Sequence, residues 1–224
     1  MSDLNMILAA KCAPEEEVLF DVCKSGIKAV ELYLSKELLG GVSYISRLCK
    51  KYPLRYAVHA PNDGFALDEL AELTKNINAE IVVFHNNYWE DEWVGIVGRF
   101  KDLSARLCIE NIHSVHEPVK FMKRYDMGRC LDIEHLQIQC AGVYEEAFIP
   151  IIKEASHIHL SGYRHGSSLW HTHIHHSPEH GMYMLGLLKK TNYNGFVVSE
   201  AKVSLQTYAE FKKLRQFYES WKRK

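Results

Sequence analysis

Seven short apolar runs in this 224-residue chain each end in a side chain that can carry charge or bind a cation. They are Glu31 in VEL, His59 in VHA, His85 in FHN, Glu110 in IEN, Asp132 in LDI, His159 in IHL and Glu200 in SEA. Carboxylate oxygens and imidazole nitrogens are the ligands that Zn2+, Mn2+ or Fe2+ prefer. Carboxylates and imidazoles gathered on one rim are costly to hold together unless their charge is compensated, and a divalent cation compensates it. Any one of these residues alone, His59 for instance, reads better as a core histidine satisfied by hydrogen bonds. Seven at equivalent positions read as a metal-binding rim. A rim held only by salt bridges is the competing reading, but few Lys or Arg residues flank these positions.

The elements that must position these groups follow from pattern. Eight β-rich runs recur: Met6–Ala10, Ala29–Leu34, Tyr56–Ala60, Ile81–Asn86, Leu107–Ile112, Cys130–His135, Ile158–Ser161 and Phe196–Ala201. Helix-like spacers separate them. Pro14 stands before Glu15, Glu16 and Glu17, acids suited to the positive end of a helix dipole. Leu67, Leu70, Ala71 and Leu73 mark one apolar stripe, and Leu205, Tyr208, Phe211, Leu214, Tyr218 and Trp221 another. Strand–helix alternation predicts parallel strands, and eight units predict a single (β/α)8 barrel domain over residues 1–224. The alternative, an open doubly wound sheet, would carry a Gly-rich turn after its first strand. The corresponding stretch, Lys11-Cys12-Ala13-Pro14, has no glycine. In a barrel the C-terminal strand ends open onto the active-site face, so the seven endings should share one rim.

Composition narrows the function class. The chain is 47% hydrophobic and 25% charged, which excludes disordered and fibrous classes. Lys+Arg number 27 against 28 Asp+Glu, so the basic surplus expected of a nucleic-acid binder is missing. No stretch approaches the ~20 apolar residues of a membrane span, and the opening residues are too short a run for a signal peptide. Six cysteines without a Cys-x-x-Cys pair suggest free thiols in a reducing cytoplasm. Histidine is the outlier at 13 residues, as many as glycine.

Other candidates are less central. Glu31 could be a hydrogen-bonding rim residue that meets substrate. Glu134 has the parity of Asp132 but lies beyond the strand end. His135 must reach back from a loop. His113 and His116 read as surface or helix-start residues, and His157 as a structural residue deeper in its strand. The stretch His171–His180, HTHIHHSPEH, is either a lid that lends His173 or His175 to the site or a solvated loop. Tyr88, Trp89 and Trp93 either stack on a sugar or pack a helix. The loop Ser161–Ser168, with Arg164, is either a phosphate-binding loop or a plain polar turn.

At these residues the chain resembles the xylose-isomerase-like barrel superfamily, which includes sugar isomerases and epimerases and the endonuclease IV branch. Its epimerase-type site is a Glu, Asp, His, Glu quartet on successive strands. Glu110 in CIEN, Asp132 in CLDIEH, His159 in HIHL and Glu200 in VVSEA match that order, and His135 matches the histidine three after the Asp. The resemblance implies a divalent metal cofactor, Mn or Zn, at one to three ions per chain. His59-Ala60-Pro61 and Phe84-His85 resemble further ligands of the endonuclease branch, and His173-Ile174-His175 stands where that branch has Asp-x-His. The usual His-x-x-Asp reads His159-Leu160-Ser161-Gly162.

Three functions remain open. The first is an isomerase or epimerase of a small sugar or sugar phosphate. Glu110 and Glu200 would act as acid and base through an enediolate, and His135 would hold a substrate hydroxyl or a glutamate. The second is a zinc phosphodiesterase, opposed by the acidic loop Glu90-Asp91-Glu92, which would repel duplex DNA. The third is a non-catalytic metal-binding barrel. The expected partner is a small carbohydrate rather than nucleic acid or membrane, and a homo-oligomer is compatible with all three.

Overall fold

β-Branched and small apolar residues dominate eight short segments, and each segment hydrogen-bonds to the next. A computed structural model of the chain describes residues 6–139, 148–164 and 166–224. The strands are β1 (Ile7–Cys12), β2 (Ala29–Tyr33), β3 (Arg55–His59), β4 (Ile81–Phe84), β5 (Arg106–Glu110), β6 (Gly128–Asp132), β7 (Ala155–His159) and β8 (Phe196–Ser199). They run parallel in sequence order, and β8 pairs with β1 to close the barrel. The architecture is the eight-stranded parallel barrel that the strand–helix alternation predicts.

Helices cover the outside: α1 (Glu16–Ser25), α2 (Lys36–Leu39), α3 (Val42–Cys49), α4 (Leu67–Asn76), α5 (Glu90–Phe100), α6 (Glu117–Tyr125), α7 (Ile133–Gln139), α8 (Ile149–Lys153), α9 (Pro178–Lys190) and α10 (Tyr208–Lys222). Acids in the first turn and Lys24 in the last suit the dipole of α1. Gly26 ends that helix at φ 87°, a left-handed conformation that a residue without Cβ adopts at little cost. Helix α10 buries Phe211, Leu214, Tyr218 and Trp221 and packs on α1, closing the ring of helices. Leu205, expected on that stripe, lies instead in a 3-10 turn, Val203–Leu205.

Two apolar layers follow from the alternation of side chains along each strand. Residues of one parity fill the interior: Ala9, Ala29, Ala57, Val83, Cys108, Cys130, Phe196 and Val198. Those of the other parity join the helices in the outer core. Gly128 begins β6 without a side chain because a Cβ there would stand 2.6 Å from Ser156 Oγ and 2.9 Å from Cys108 Sγ. Cys12, Cys49, Cys108 and Cys130 are buried free thiols and Cys23 is half-buried; Cys140 lies outside the described residues.

Strand boundaries differ from expectation at β1, which runs on to Cys12, and at two further places that matter for the site. β6 ends at Asp132, and α7 starts at once, because Asp132 Oδ1 accepts the His135 N–H at 2.7 Å and so caps the helix. Glu134 and His135 are therefore first-turn helical residues rather than strand or loop. β7 begins at Ala155, and an irregularity between Arg129 and Cys130 sets Cys130 opposite His157 and Asp132 opposite His159.

The loop after β7 returns through α9, where His180 stands with its Nε2 3.2 Å from the carbonyl oxygen of Ser161. Burial lowers the pKa of His180 to about 4. The unfolded chain takes up this proton near pH 6.5 and the folded one only near pH 4, so the stabilisation is complete above pH 6.5 and is lost between those values. Denaturant unfolding should lose up to about 3 kcal/mol through this group as pH falls across that window. The His180→Gln variant should show a correspondingly smaller loss; an identical pH profile would refute the assignment.

Candidate functional site

The inward parity that fills the barrel with small apolar residues ends, at the carboxyl rim, in charged ones. His59, Glu110, Asp132 and His159 close their strands, Lys11 stands one residue before the end of β1, and His85 and Glu200 follow one residue beyond theirs. Three sets of ligand atoms each lie within 4.8 Å: His59, His85 and Glu110; Glu110, Asp132 and His135; and Asp132, His159 and Glu200. Glu110 and Asp132 are shared between sets, so the rim is one continuous cluster.

His159 is its centre. Its Nε2 donates to Glu31 Oε2 at 3.1 Å, while its Nδ1 stands 3.2 Å from Glu200, 3.5 Å from Glu110 and 3.6 Å from Asp132. That Nδ1 is buried and makes no hydrogen bond. Burial opposes a charge on the ring, but Glu31 and Glu110 outweigh it and hold the pKa of His159 well above the ordinary imidazole value. The same point among three carboxylates would suit a divalent cation, with Glu31 fixing the tautomer that leaves Nδ1 free to ligate.

His59 carries the same signature on the other side. Its Nδ1 faces the Ala60 carbonyl at 3.0 Å and so bears the proton. Burial lowers its pKa, which favours the neutral ring. The remaining Nε2 then directs a lone pair at Glu110 Oε2, 3.1 Å away, and His85 Nε2 approaches the same oxygen at 3.3 Å. A lone pair facing a carboxylate is unfavourable unless a proton or cation lies between them. The donor set therefore fits a metal at the quartet, and His59, His85 and Glu110 could hold another.

Lys11 is the eighth rim residue, and the sequence pattern does not mark it. The apolar run ends at Ala10, but β1 continues to Cys12, and Lys11 shares the inward parity of Ile7 and Ala9. Its Nζ lies 2.9 Å from Glu200 Oε1 and 3.4 Å from Glu31 Oε1. Burial would lower its pKa, but the two glutamates more than offset this and raise it. Asn111 likewise carries no signal in the sequence. It accepts the Asp132 N–H at 2.9 Å and donates to the Asp132 carbonyl at 3.1 Å, locking the ends of β5 and β6 in register.

Several expected roles are corrected by placement. Glu31 is fully buried under the rim between Lys11, His157 and His159 rather than exposed on it. His157 donates to Glu31 at 2.6 Å from the layer below the rim. His173 is buried away from the cluster, on Ser199 Oγ at 2.8 Å and facing the Leu205 carbonyl at 3.2 Å. His175 points to Glu210 on α10. Trp89 is 79% exposed at the start of α5, whereas Trp93 is buried against Phe84, Tyr88 and Phe121. Arg164 is exposed in a turn closed by its own backbone.

An open cleft of about 240 Å³ lies beside the cluster, lined by Lys11, Tyr33, His171, Glu200, Lys202 and Gln206 among others. Glu200, a quarter exposed, is the carboxylate that faces it, whereas Glu110 is almost fully buried. His171 adopts φ 43°, a left-handed conformation uncommon away from glycine. It is held there by Glu134, which accepts the His171 N–H at 3.1 Å. Burial pushes Glu134 up to about 7.

No protein-family model matches the chain, and no curated protein matches it in sequence. Solved structures do match in fold. A D-allulose 3-epimerase from Methylomonas sp. superposes with a TM-score of 0.68 at 11% identity, over 97% of this chain and 98% of that one. The TTHB071 protein from Thermus thermophilus, soaked with ZnCl2, gives 0.67 at 18% identity over 96% and 98%. The shared fold is the closed, eight-stranded parallel barrel. An L-ribulose 3-epimerase with a TM-score of 0.61 at 12% identity, over 96% and 94% of the two chains, has it as well. At such identities the likeness concerns the backbone, and the chemistry must be argued from this chain's own rim.

The role of Glu31 is directly testable. Glu31→Gln keeps the shape but removes the charge that holds the Nε2 proton of His159. Such a change should weaken Zn2+ or Mn2+ binding about 10–100-fold, measured by chelator competition, with an unchanged circular dichroism spectrum. Wild-type affinity in the folded variant would show that Glu31 does not tune the site.

Proposed function

We propose that this chain is a divalent-metal-dependent isomerase or epimerase of a small sugar or sugar phosphate. The observation that carries the reading is His159: one nitrogen pinned by a buried carboxylate, the other directed without a hydrogen-bond partner into three more. Glu110, Asp132, His159 and Glu200 would hold the ion. When bound, a divalent cation supplies Lewis-acid polarisation of a carbonyl and its neighbouring hydroxyl, which acidifies the carbon-bound proton between them.

The chain's own residues then divide the proton work. Glu200 faces the cleft and has one oxygen held by Lys11, leaving the other toward the reacting side. It removes the proton next to the carbonyl, giving an enediolate. Glu110, from β5 on the other side of His159, passes a proton drawn from the imidazolium of His135, 3.5 Å away, to the opposite face or to the neighbouring carbon, while Glu200 keeps the one it removed until solvent takes it. Lys11 and His159 keep both carboxylates ionised: against the penalty of burial, the charges of Lys11 and His159 lower Glu200, and the charge of His159 lowers Glu110. His135, with Nδ1 3.5 Å from Glu110, orients that glutamate or a substrate hydroxyl. The scale of the cleft suits a small polyol. The sugar 3-epimerases of the same fold support this substrate class.

A second reading rests on His59 and His85, which converge on Glu110 as ligands of a further ion and favour a zinc phosphodiesterase. The acidity expected to repel DNA is partly consumed, since Glu90 pairs with Lys120 and Arg124 and Glu92 accepts the Trp89 N–H. The basic surface needed for phosphate-backbone binding is still not supplied by the rim loops.

Exchange of a substrate carbon-bound hydrogen with solvent deuterium separates the two reactions. Exchange should occur with a ketose or ketose phosphate on the metal-loaded enzyme, and Glu200→Gln should slow it at least about 10²-fold, the range of general-base catalysis. Unimpaired exchange in that variant would remove Glu200 from its role. His59→Ala should leave the number of bound ions unchanged and preserve exchange if the single-metal reading holds; loss of an ion in the variant, with no exchange in wild type, would favour the second reading.

A further inference from the structure

A second convergence of imidazoles and a carboxylate lies outside the rim. The 3-10 turn Ile174–His176 packs against α10. There His175 Nε2 and His176 Nε2 stand 3.0 and 2.7 Å from the same oxygen of Glu210, Oε2. The three ligand atoms lie within 4.8 Å of one another. None of them belongs to the barrel-mouth cluster.

We propose that His175, His176 and Glu210 form a second divalent-cation site, suited to Zn2+, which fastens the loop after β7 to the C-terminal helix. Two imidazole nitrogens and one carboxylate oxygen are a zinc donor set with a fourth position left for water. Adjacent residues in a helix point away from each other, but this turn brings the rings of His175 and His176 to 4.3 Å between centroids, tilted by 34°. Both therefore offer Nε2 to one point.

The groups around the trio are set as partners that orient ligands. Lys213 Nζ holds Glu210 Oε1 at 2.7 Å, so the carboxylate cannot rotate freely and presents Oε2 to the imidazoles. His175 stacks on the ring of His173, 5.8 Å away and inclined by 20°. His173 is in turn bonded to Ser199, the residue before Glu200. An ion here would thus stiffen a path from the C-terminal helix to the base of the catalytic rim, and would keep His171 beside the cleft. Nothing in this site depends on the reaction proposed for the rim.

Metal counting decides the matter. The full chain, stripped by chelator and then given Zn2+ alone, is desalted and its zinc measured by mass spectrometry. Wild type should retain one more zinc per chain than either His176→Ala or Glu210→Gln. His176 is a third exposed and Glu210 sits near the helix surface, so both variants should keep the native circular dichroism spectrum. Zn2+ should raise the melting temperature of wild type by about 2–4 °C more than that of either variant. A Co2+-loaded wild type should show visible absorption that is reduced in both. Equal zinc content in wild type and the folded variants would overturn the site and leave a hydrogen-bonded trio. If one variant fails to fold, the other decides by the same count.

Discussion

Charge compensation beneath and around His159 is the constraint on which the rest of the rim depends. Glu31, Glu110, Asp132 and Glu200 bring four carboxylates to a space where water is largely excluded, and among the described residues Lys11 supplies the ammonium that pairs with them. With neutral imidazoles, three negative charges stay unmatched. Buried like charges whose ligand atoms lie within 4.8 Å cannot all persist without a counter-charge. A proton on His159 answers part of this, and a divalent cation answers most of it. The histidine is built for either, because Glu31 accepts a hydrogen bond from its Nε2–H and leaves Nδ1 to whatever occupies the centre. Proton and metal would therefore compete for one atom, and an ion entering the proposed site would displace any proton held there.

The barrel makes this arrangement tolerable by separating its interior into layers. Ala9, Ala29, Ala57, Cys108 and Cys130 are small enough to close the cylinder below. Above them come Glu31 and His157, wholly buried and mutually bonded, and above those the ligand-bearing rim. An intermediate polar layer is a costly feature, since each buried group left without a partner costs about 1–3 kcal/mol. It persists here because it connects Lys11, His157 and His159 through one carboxylate. Glu31 accordingly acts through the residues it orients.

Much of this is legible in the sequence because parity and strand ends are local properties. Glu110 after Cys108, Asp132 after Cys130 and Glu200 after Val198 announce inward-facing ends in any parallel barrel, and the chain's strand–helix alternation announces the barrel. Lys11 escapes by a boundary difference of one or two residues, although Ile7, Ala9 and Lys11 share the parity that identifies the others. Glu31 is legible as a strand residue but not at its depth, because depth is set by the stagger between β2 and β7 and no local pattern encodes it. The histidine-rich stretch is illegible for another reason. Whether His173 faces the mouth or Ser199, and whether His175 faces the mouth or Glu210, depends on where a loop crosses elements distant in sequence. Spacing alone cannot carry that information.

The division of labour proposed for the two glutamates follows from their surroundings rather than from their order in the chain. Glu110 is enclosed, with one oxygen approached by His59 and His85 and the other by His135. Glu200 has a lysine on one oxygen and open cleft beside it. A group that exchanges protons with a substrate must reach it, which favours Glu200 for the first transfer. A group that returns the proton from the opposite side can be deeper, provided the reacting carbon is drawn toward it. Both stand close to His159 Nδ1, at 3.2 and 3.5 Å, so a carbon held near that point would be within reach of each. Lys11 then has a second effect. By occupying one oxygen of Glu200 it leaves that residue a single oxygen, which an ion and a proton would have to share in turn.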